Sequence, residues 1–205
     1  MNISELILVF VQTIIALLLL NIGFILSSQA YRKRLLHKYM IAFASFLFSL
    51  VIIIEILKIL PISINWSFID IAHDWLKLCA QVVLLSGLGL LIRHSKPKVT
   101  RAPVVLAFLP FLLIFAYPLI MDTFIIKQFM FSLLYSGAAI ISILMYSILT
   151  YSERNYQIVL LSSVFFTIAI IIGYMTPSIM AFSYSSVIIA LLLYRRGYIK
   201  HEFIQ

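Results

Sequence analysis

Residues 39–60 read YMIAFASFLFSLVIIIEILKIL, an almost continuous apolar run. A helix needs about 20 apolar residues to cross the hydrocarbon core of a bilayer, so this run predicts a membrane-spanning helix. The whole chain has the same character, because 64% of its 205 residues are hydrophobic and only 11% are charged. A single small core cannot hide that much apolar surface from water. The sequence therefore predicts an integral membrane protein.

Other apolar runs of similar length lie on both sides of this one, separated by short polar connections. Backbone groups find no hydrogen-bond partner in lipid, so such runs predict helices. The predicted fold class is all-α, a polytopic membrane helical bundle of about seven transmembrane helices in a single domain over residues 1–205. Only Met175 and Thr176 divide the last two runs, and we favour a tight helical hairpin there over six spans with a re-entrant piece. The predicted spans are 7–26, 39–60, 71–92, 103–121, 128–150, 157–174 and 177–194.

Cationic residues lie on alternate connections, and this pattern predicts the orientation of the bundle. Cytoplasmic loops of membrane proteins are enriched in Lys and Arg. Twelve of the 15 Lys and Arg residues lie between spans one and two, three and four, and five and six, or in the tail. We therefore expect a multi-pass protein of the cell membrane with its N-terminus outside and its C-terminus in the cytoplasm.

The basic segments have two expected partners, which are anionic lipid headgroups and a protein in the membrane or at the cytoplasmic face. Nucleic acid is not an expected partner, although the net charge is +8, because the positive residues form short clusters between apolar runs. The residues expected to form the cytoplasmic docking surface are Arg32, Lys33, Arg34, Arg93, Lys96, Lys98, Arg101, Arg195 and Arg196.

Aromatic side chains are expected to form belts at the two lipid–water interfaces. Tyr and Trp residues do cluster near the ends of the predicted spans. The expected cytoplasmic belt comprises Tyr31, Tyr39, Tyr151, Tyr156, Tyr194 and Tyr198, and the expected outer belt comprises Trp66, Trp75, Tyr117 and Tyr174.

Charged residues within or beside the apolar runs are the most informative feature for function, because charge is costly in a bilayer. Four residues at the start of span three are spaced i, i+3, i+4 and i+7, which places them on one helical face. A short loop joins spans two and three, so these four should meet two charged residues of span two at the outer side. The predicted outer cluster comprises Glu55, Lys58, Asp70, His73, Asp74 and Lys77.

Within this cluster, Glu55 lies roughly 8 Å below the outer boundary and needs a partner. We expect Glu55 to pair with Lys77, and Lys58 to pair with Asp74 or Asp70. Such a cluster is either a ligand-binding or proton-sensing site or an ion-pair clasp that holds a helical hairpin. No metal site is expected, because a single helix supplies at most three ligands here and no second histidine lies nearby in the sequence.

Sequence signatures of enzymes are missing. The chain contains no Gly-x-Ser-x-Gly, His-Glu-x-x-His or Cys-x-x-Cys motif and no phosphate-binding glycine loop. We therefore expect a non-enzymatic protein without a cofactor. The remaining histidines, His37, His94 and His201, lie in basic segments and are expected to be solvated loop residues.

Small residues and prolines predict how the helices pack. Ser86-Gly87-Leu88-Gly89 and Ser132-x-x-x-Ser136-Gly137 offer surfaces on which a neighbouring helix can approach closely. Pro110 and Pro118 should kink or loosen span four, because proline removes a helical N–H donor and clashes with the preceding turn.

A basic turn Tyr31-Arg-Lys-Arg is followed by an acidic position in span two, Glu55, and then by His73-Asp-Trp-Leu-Lys-Leu, which opens a helix ending near Arg93. This order of features over residues 25–95 resembles the seven-helix membrane sensor modules of bacterial and archaeal signalling proteins. Members of that group often precede a kinase domain, which this sequence does not include. The resemblance implies a sensor that signals through a separate partner.

Two functions therefore follow as hypotheses. The leading one is a sensor, a receptor-like protein or an accessory subunit that acts through a partner. The alternative is a small-solute or ion transporter or channel in which Glu55 is the coupling carboxylate.

Overall fold

The computed structural model describes residues 3–60, 66–95, 104–120, 123–152, 154–175 and 180–202. Within these ranges the chain is helical almost throughout, which confirms the predicted all-α fold. The described residues comprise seven α-helices and two 3₁₀ segments, Val104–Phe111 and Arg154–Tyr156. The helices are α1 (Ile3–Lys33), α2 (Leu36–Ile59), α3 (Trp66–Ser95), α4 (Leu112–Ile120), α5 (Phe124–Ser152), α6 (Gln157–Met175) and α7 (Met180–Glu202).

Four stretches of helix are long and apolar enough to cross a membrane: Ile3–Lys33, Leu36–Ile59, Ile69–His94 and Ile125–Tyr151. Ala107–Leu119 and Gln157–Ile172 are shorter apolar helices. Large apolar side chains also face outward, and Phe115 and Leu119 are 78% and 85% exposed. An exposed apolar surface of this kind suits lipid as the surrounding solvent, so the structure supports the predicted membrane protein.

The long helices extend past the predicted spans at several ends. The first helix begins at Ile3 and ends at Lys33, whereas the apolar run that predicted it covers residues 7–26. A hydropathy window detects only the part of a helix that suits hydrocarbon. The polar turns beyond that part stay helical, because their backbone hydrogen bonds do not depend on lipid.

Six helices form a closed ring. Around the ring, α1 packs on α2, α2 on α3, α3 on α5, α5 on α6 and α6 on α7. The ring closes where α7 packs on α1. The fourth helix and the 3₁₀ segment before it lie outside this ring, where their main neighbour is α3. The arrangement leaves a central space bounded by six helices.

The last two predicted spans are separate helices, as expected for a helical hairpin. The Ser162 hydroxyl donates to the Ala190 carbonyl at 2.8 Å, and the Ser183 hydroxyl donates to the Ala169 carbonyl at 2.9 Å. The contact that lies later on α6 therefore lies earlier on α7, so the two helices are antiparallel. The Thr176-Pro177 pair between them lies outside the described residues.

The predicted fourth span is a 3₁₀ segment followed by the short helix α4. Pro110 lies inside the 3₁₀ segment and Pro118 inside α4. Proline cannot donate the backbone hydrogen bond of a regular α-helix, and it disfavours helical geometry in the residue before it. The expected loosening of this span is therefore confirmed, whereas Pro103, at its predicted start, lies outside the described residues.

A tight turn joins α1 to α2. Arg34 has a φ of 52°, and the Leu35 N–H donates to the Ala30 carbonyl at 3.3 Å. This is the hydrogen bond of a Schellman C-cap, in which one residue with left-handed backbone reverses the chain. The turn keeps the basic residues of α1 at the same end of the bundle as the start of α2.

Gly87 marks the closest approach of α2 and α3. A Cβ atom built there would lie 2.9 Å from Ile41 Cγ1 and 3.1 Å from Met40 Cβ. The prediction for the Ser86–Gly89 stretch is therefore confirmed. At Gly137 in α5 the prediction is wrong, because a Cβ atom there would meet no atom of another described segment within 4 Å.

The different surroundings of these two glycines predict that replacing each with alanine will affect stability differently. We expect Gly87→Ala to destabilise the protein by about 1–3 kcal/mol, because the added methyl group overpacks the α2–α3 contact. Gly137→Ala, the matched control, should be neutral or stabilise by up to about 1 kcal/mol, because alanine favours a helix more than glycine does. SDS-induced unfolding in mixed micelles measures both. Equal effects of the two substitutions would contradict this account of helix contact.

Candidate functional site

Glu55 joins three helices at one end of the bundle. Its Oε2 atom accepts a hydrogen bond from Gln12 Nε2 of α1 at 3.4 Å, and its Oε1 atom lies 3.3 Å from His73 Nε2 of α3. Both carboxylate oxygens therefore have partners inside the protein. We call this end of the bundle, where Glu55, Asp70 and Asp74 lie, the acidic end.

Asp74 continues this chain of polar contacts toward α5. Its Oδ2 atom lies 2.6 Å from Lys127 Nζ, and its Oδ1 atom lies 3.6 Å from His73 Nδ1. One imidazole thus stands between two carboxylates. The resulting polar relay runs through Gln12, Glu55, His73, Asp74 and Lys127.

Lys58 forms an ion pair with Asp70 at 2.5 Å, which confirms one of the two predicted alternatives. The Asp70 side chain is 61% exposed, whereas that of Asp74 is 22% exposed. Ion pairs at exposed positions contribute little, because solvent screens them. The Asp74–Lys127 pair, which is more protected, therefore matters more for holding helices together.

The predicted pairing of Glu55 with Lys77 is wrong. Lys77 Nζ instead lies 5.3 Å from the ring centre of Phe131 and 5.5 Å from that of Tyr135, both on α5. Gln12 and His73 contact the carboxylate oxygens of Glu55, and Lys77 lies instead beside aromatic faces, which attract a cation.

A cavity of about 540 Å³ fills the centre of the six-helix ring. All six helices of the ring contribute to its wall, which is mostly aliphatic and aromatic. Its charged groups are Glu55 and Lys77, near the acidic end. The sequence did not predict this cavity, because periodicity shows which helix faces are apolar but not how far apart those faces stand.

Gln81 is the most unusual residue of the cavity wall. It lies one helical turn from Lys77 on α3, and its side chain is 1% exposed. Neither its amide oxygen nor its amide nitrogen has a hydrogen-bond partner within the part of the chain that the structure describes. An amide buried in this way is costly unless something bonds to it.

Three tyrosines meet at the end of the cavity that lies farther from the acidic end. The Tyr146 hydroxyl lies 3.3 Å from the Tyr194 hydroxyl and 3.1 Å from the Tyr198 hydroxyl. Tyr146 and Tyr194 line the cavity. The predicted aromatic belt is therefore wrong for Tyr194 and Tyr198, which bond to Tyr146, whereas Tyr31 and Tyr151 are exposed as a belt requires.

The outer belt needs a similar correction. Tyr117 is buried, with its ring centre 5.0 Å from that of Trp75 and 6.3 Å from that of Phe131. Tyrosine suits an interface and a core alike, since it has an apolar ring with one polar tip. The side chains of Trp66 and Tyr174 lie outside the described residues.

The predicted docking residues that the structure describes gather at the end opposite the acidic end, which we call the cationic end. Gln29 of α1 donates to the Tyr198 carbonyl of α7 at 3.1 Å, and Arg195 donates to Asn21 at 2.6 Å. These bonds bring the tail beside the α1–α2 turn. Lys96, Lys98 and Arg101 lie outside the described residues, and the residues found at the cationic end are Arg32, Lys33, Arg34, Arg93, Arg195 and Arg196.

The expectation that His37 is a solvated loop residue is wrong. It lies in the first turn of α2, where its side chain is buried and its ring centre lies 5.2 Å from that of His94 at the end of α3. His94 itself is exposed, and the side chain of His201 lies outside the described residues.

Comparison of the chain with protein-family profiles, with curated proteins and with solved structures finds no match. The site must therefore be interpreted from its own geometry. Among the residues that the structure describes, no three His, Cys, Asp or Glu side chains are placed to hold a metal ion.

The two acidic pairs predict unequal stability losses. We expect Asp74→Asn to cost about 1.5–3 kcal/mol, because it removes the charged partner of Lys127 at a protected position. Asp70→Asn should cost less than about 1 kcal/mol, because Lys58 can be solvated instead. Unfolding in SDS mixed micelles compares the two variants. A larger loss in Asp70→Asn would contradict the assigned roles of the two pairs.

Proposed function

We propose that this protein is a non-enzymatic, receptor-like membrane protein that binds a small amphipathic molecule inside its helical bundle. The central cavity carries this proposal. Its volume of about 540 Å³ falls within the range of about 300–1,000 Å³ that is typical of small-molecule sites. An apolar wall with a few polar groups at one end matches a molecule with one polar head.

A connection from the cavity to the cationic end supports a receptor-like role. Tyr194 lines the cavity and precedes Arg195 and Arg196 on α7. Through Tyr146 it joins Tyr198, whose carbonyl accepts the bond from Gln29. A molecule that moves Tyr194 would shift the tail against the α1–α2 turn.

The proposal also includes the orientation of the protein in the membrane and the partner that it contacts. The alternation of basic connections favours a cytoplasmic location for the cationic end and an outer location for the acidic end in the cell membrane. Exposed Arg32, Lys33, Arg34 and Arg196 at the cationic end would then contact a cytoplasmic protein and the anionic headgroups around it.

Filling the cavity tests this function. Ala139 lines the cavity, whereas Ile140, the next residue of α5, is 58% exposed to the surroundings. We expect wild-type protein in lipid nanodiscs to retain an amphipathic molecule that mass spectrometry of solvent extracts detects. Ala139→Phe should reduce its occupancy about tenfold or more, which corresponds to about 1.4 kcal/mol of binding free energy.

Ile140→Phe is the matched control, and it should leave the occupancy unchanged. Thermal denaturation of both variants checks that they are folded. A wild-type protein that retains no such molecule, and that fails to bind either palmitic acid or cetyl alcohol when these are added, would contradict the proposed function.

Transport is the second candidate, and the position of Glu55 favours it. This carboxylate lines the cavity and contacts the titratable His73, an arrangement that can couple proton movement to a solute. If transport is correct, proteoliposomes will show solute or ion flux that Glu55→Gln abolishes. Asp70→Asn, which alters an acid outside the cavity wall, should preserve the flux. Absence of flux for common ions and solutes would leave the receptor-like function alone.

A further inference from the structure

We propose that the bound molecule is a single-chain amphiphile with a carboxylate head, of the fatty-acid class. Its head would lie against Lys77 and Gln81, and its hydrocarbon chain would extend along the cavity toward Tyr146 and Tyr194. This inference rests on the proposed receptor-like function and names the ligand class of the same cavity.

The charge of the head follows first from Lys77. No carboxylate within the described ranges of the chain lies within 4 Å of its ammonium group, which lies over the ring faces of Phe131 and Tyr135. An aromatic face attracts the positive charge but does not satisfy three N–H donors. An anionic head that enters the cavity beside Lys77 would supply the missing acceptor.

Gln81 supports the same head independently of Lys77. Gln81 contributes to the cavity wall, and its buried side-chain amide has no hydrogen-bond partner among the described groups. Residues at i and i+4 of a helix share one face, so the amide and the ammonium can address the same ligand. One carboxylate can accept from both, because each of its two oxygens has acceptor capacity.

A cationic head is disfavoured by the state of Glu55, the acid on the cavity wall. Gln12 and His73 contact its two oxygens at 3.4 and 3.3 Å. Glu55 therefore already has the His73 imidazole beside it, whereas Lys77 has no carboxylate partner among the described residues. The charged wall group that still lacks a described ion partner is a cation, and it favours an anionic head over a cationic one.

The rest of the cavity suits a hydrocarbon chain. Its wall beyond the head site is formed largely by aliphatic and aromatic residues such as Ile22, Phe48, Leu88 and Leu191. Each methylene transferred from water to such a wall contributes about 0.8 kcal/mol. A volume of about 540 Å³ suits one chain better than the two chains and large headgroup of a phospholipid.

Head-group selectivity tests the inference directly. Equilibrium binding of radiolabelled palmitic acid and of cetyl alcohol, which has the same chain length and no charge, is measured on the full-length protein in nanodiscs. We expect Lys77→Met to weaken palmitic acid binding about tenfold or more, as loss of a hydrogen bond to a charged group implies. Cetyl alcohol binding should stay within about twofold of wild type, because the alcohol makes no ion pair.

Two conservative variants keep the test informative if Lys77→Met folds poorly. Lys77→Arg preserves the charge and should retain palmitic acid binding. Gln81→Glu has nearly the same shape and should weaken palmitic acid binding by charge repulsion while sparing cetyl alcohol. A loss of palmitic acid binding in Gln81→Glu with unchanged cetyl alcohol binding cannot come from a general loss of folded protein.

The outcomes separate the head-group inference from the proposed function. Palmitic acid and cetyl alcohol that bind equally well, with neither weakened by Lys77→Met, would overturn the carboxylate assignment while leaving the cavity function intact. Stoichiometric displacement of palmitic acid by phosphatidylglycerol would identify a phospholipid occupant and overturn the single-chain assignment. No binding of either probe, together with no effect of Ala139→Phe, would overturn the proposed function itself.

Discussion

Hydrocarbon offers no hydrogen-bond partners, so every polar side chain within the bundle must find one in the protein or turn toward the ends. Several serines meet this requirement across helix contacts. The Ser49 hydroxyl of α2 donates to the Ala16 carbonyl of α1 at 3.1 Å, and Ser162 makes the equivalent bond from α6 to Ala190 of α7. Each bond fixes the position of one helix along its neighbour. The need to give each hydroxyl a partner therefore also sets the relative positions of the helices along their axes.

The same constraint explains the two ends of the central cavity. At the acidic end, Glu55 and Asp74 share His73, and Lys127 of a third helix neutralises part of the charge. At the other end, three tyrosine hydroxyls satisfy one another. Between these groups lie Lys77 and Gln81, two residues of the cavity wall whose hydrogen-bonding capacity the described protein groups leave open, and this open capacity gives the cavity a chemical preference. The ring is otherwise a conventional membrane bundle held by close backbone approach at Gly87.

Much of the fold could be predicted from the sequence, because long apolar runs leave a chain few choices in lipid. The helical class, the separate helices α6 and α7 and the irregular fourth segment all follow from run length and proline chemistry. The Lys58–Asp70 pair was also predictable, since a short loop brings the two residues together. The predicted Glu55–Lys77 pairing is wrong: Gln12, from a different helix, and His73 contact Glu55, while Lys77 lies against two aromatic rings of α5. Periodicity does not show which distant helix will supply a competing partner, and it did not place His37, Tyr117 or Tyr198 inside the protein either.

The ring closes between α1 and α7, and this order has a consequence for biosynthesis. Gln29 bonds to a residue 169 positions later, and Asn21 bonds to one 174 positions later. Until the ribosome has made α7, α1 and α6 have no neighbour between them, and lipid has lateral access to the future interior. The six-helix ring is complete only once α7 has inserted. A membrane-dissolved guest can therefore enter sideways during assembly, before α7 completes the wall.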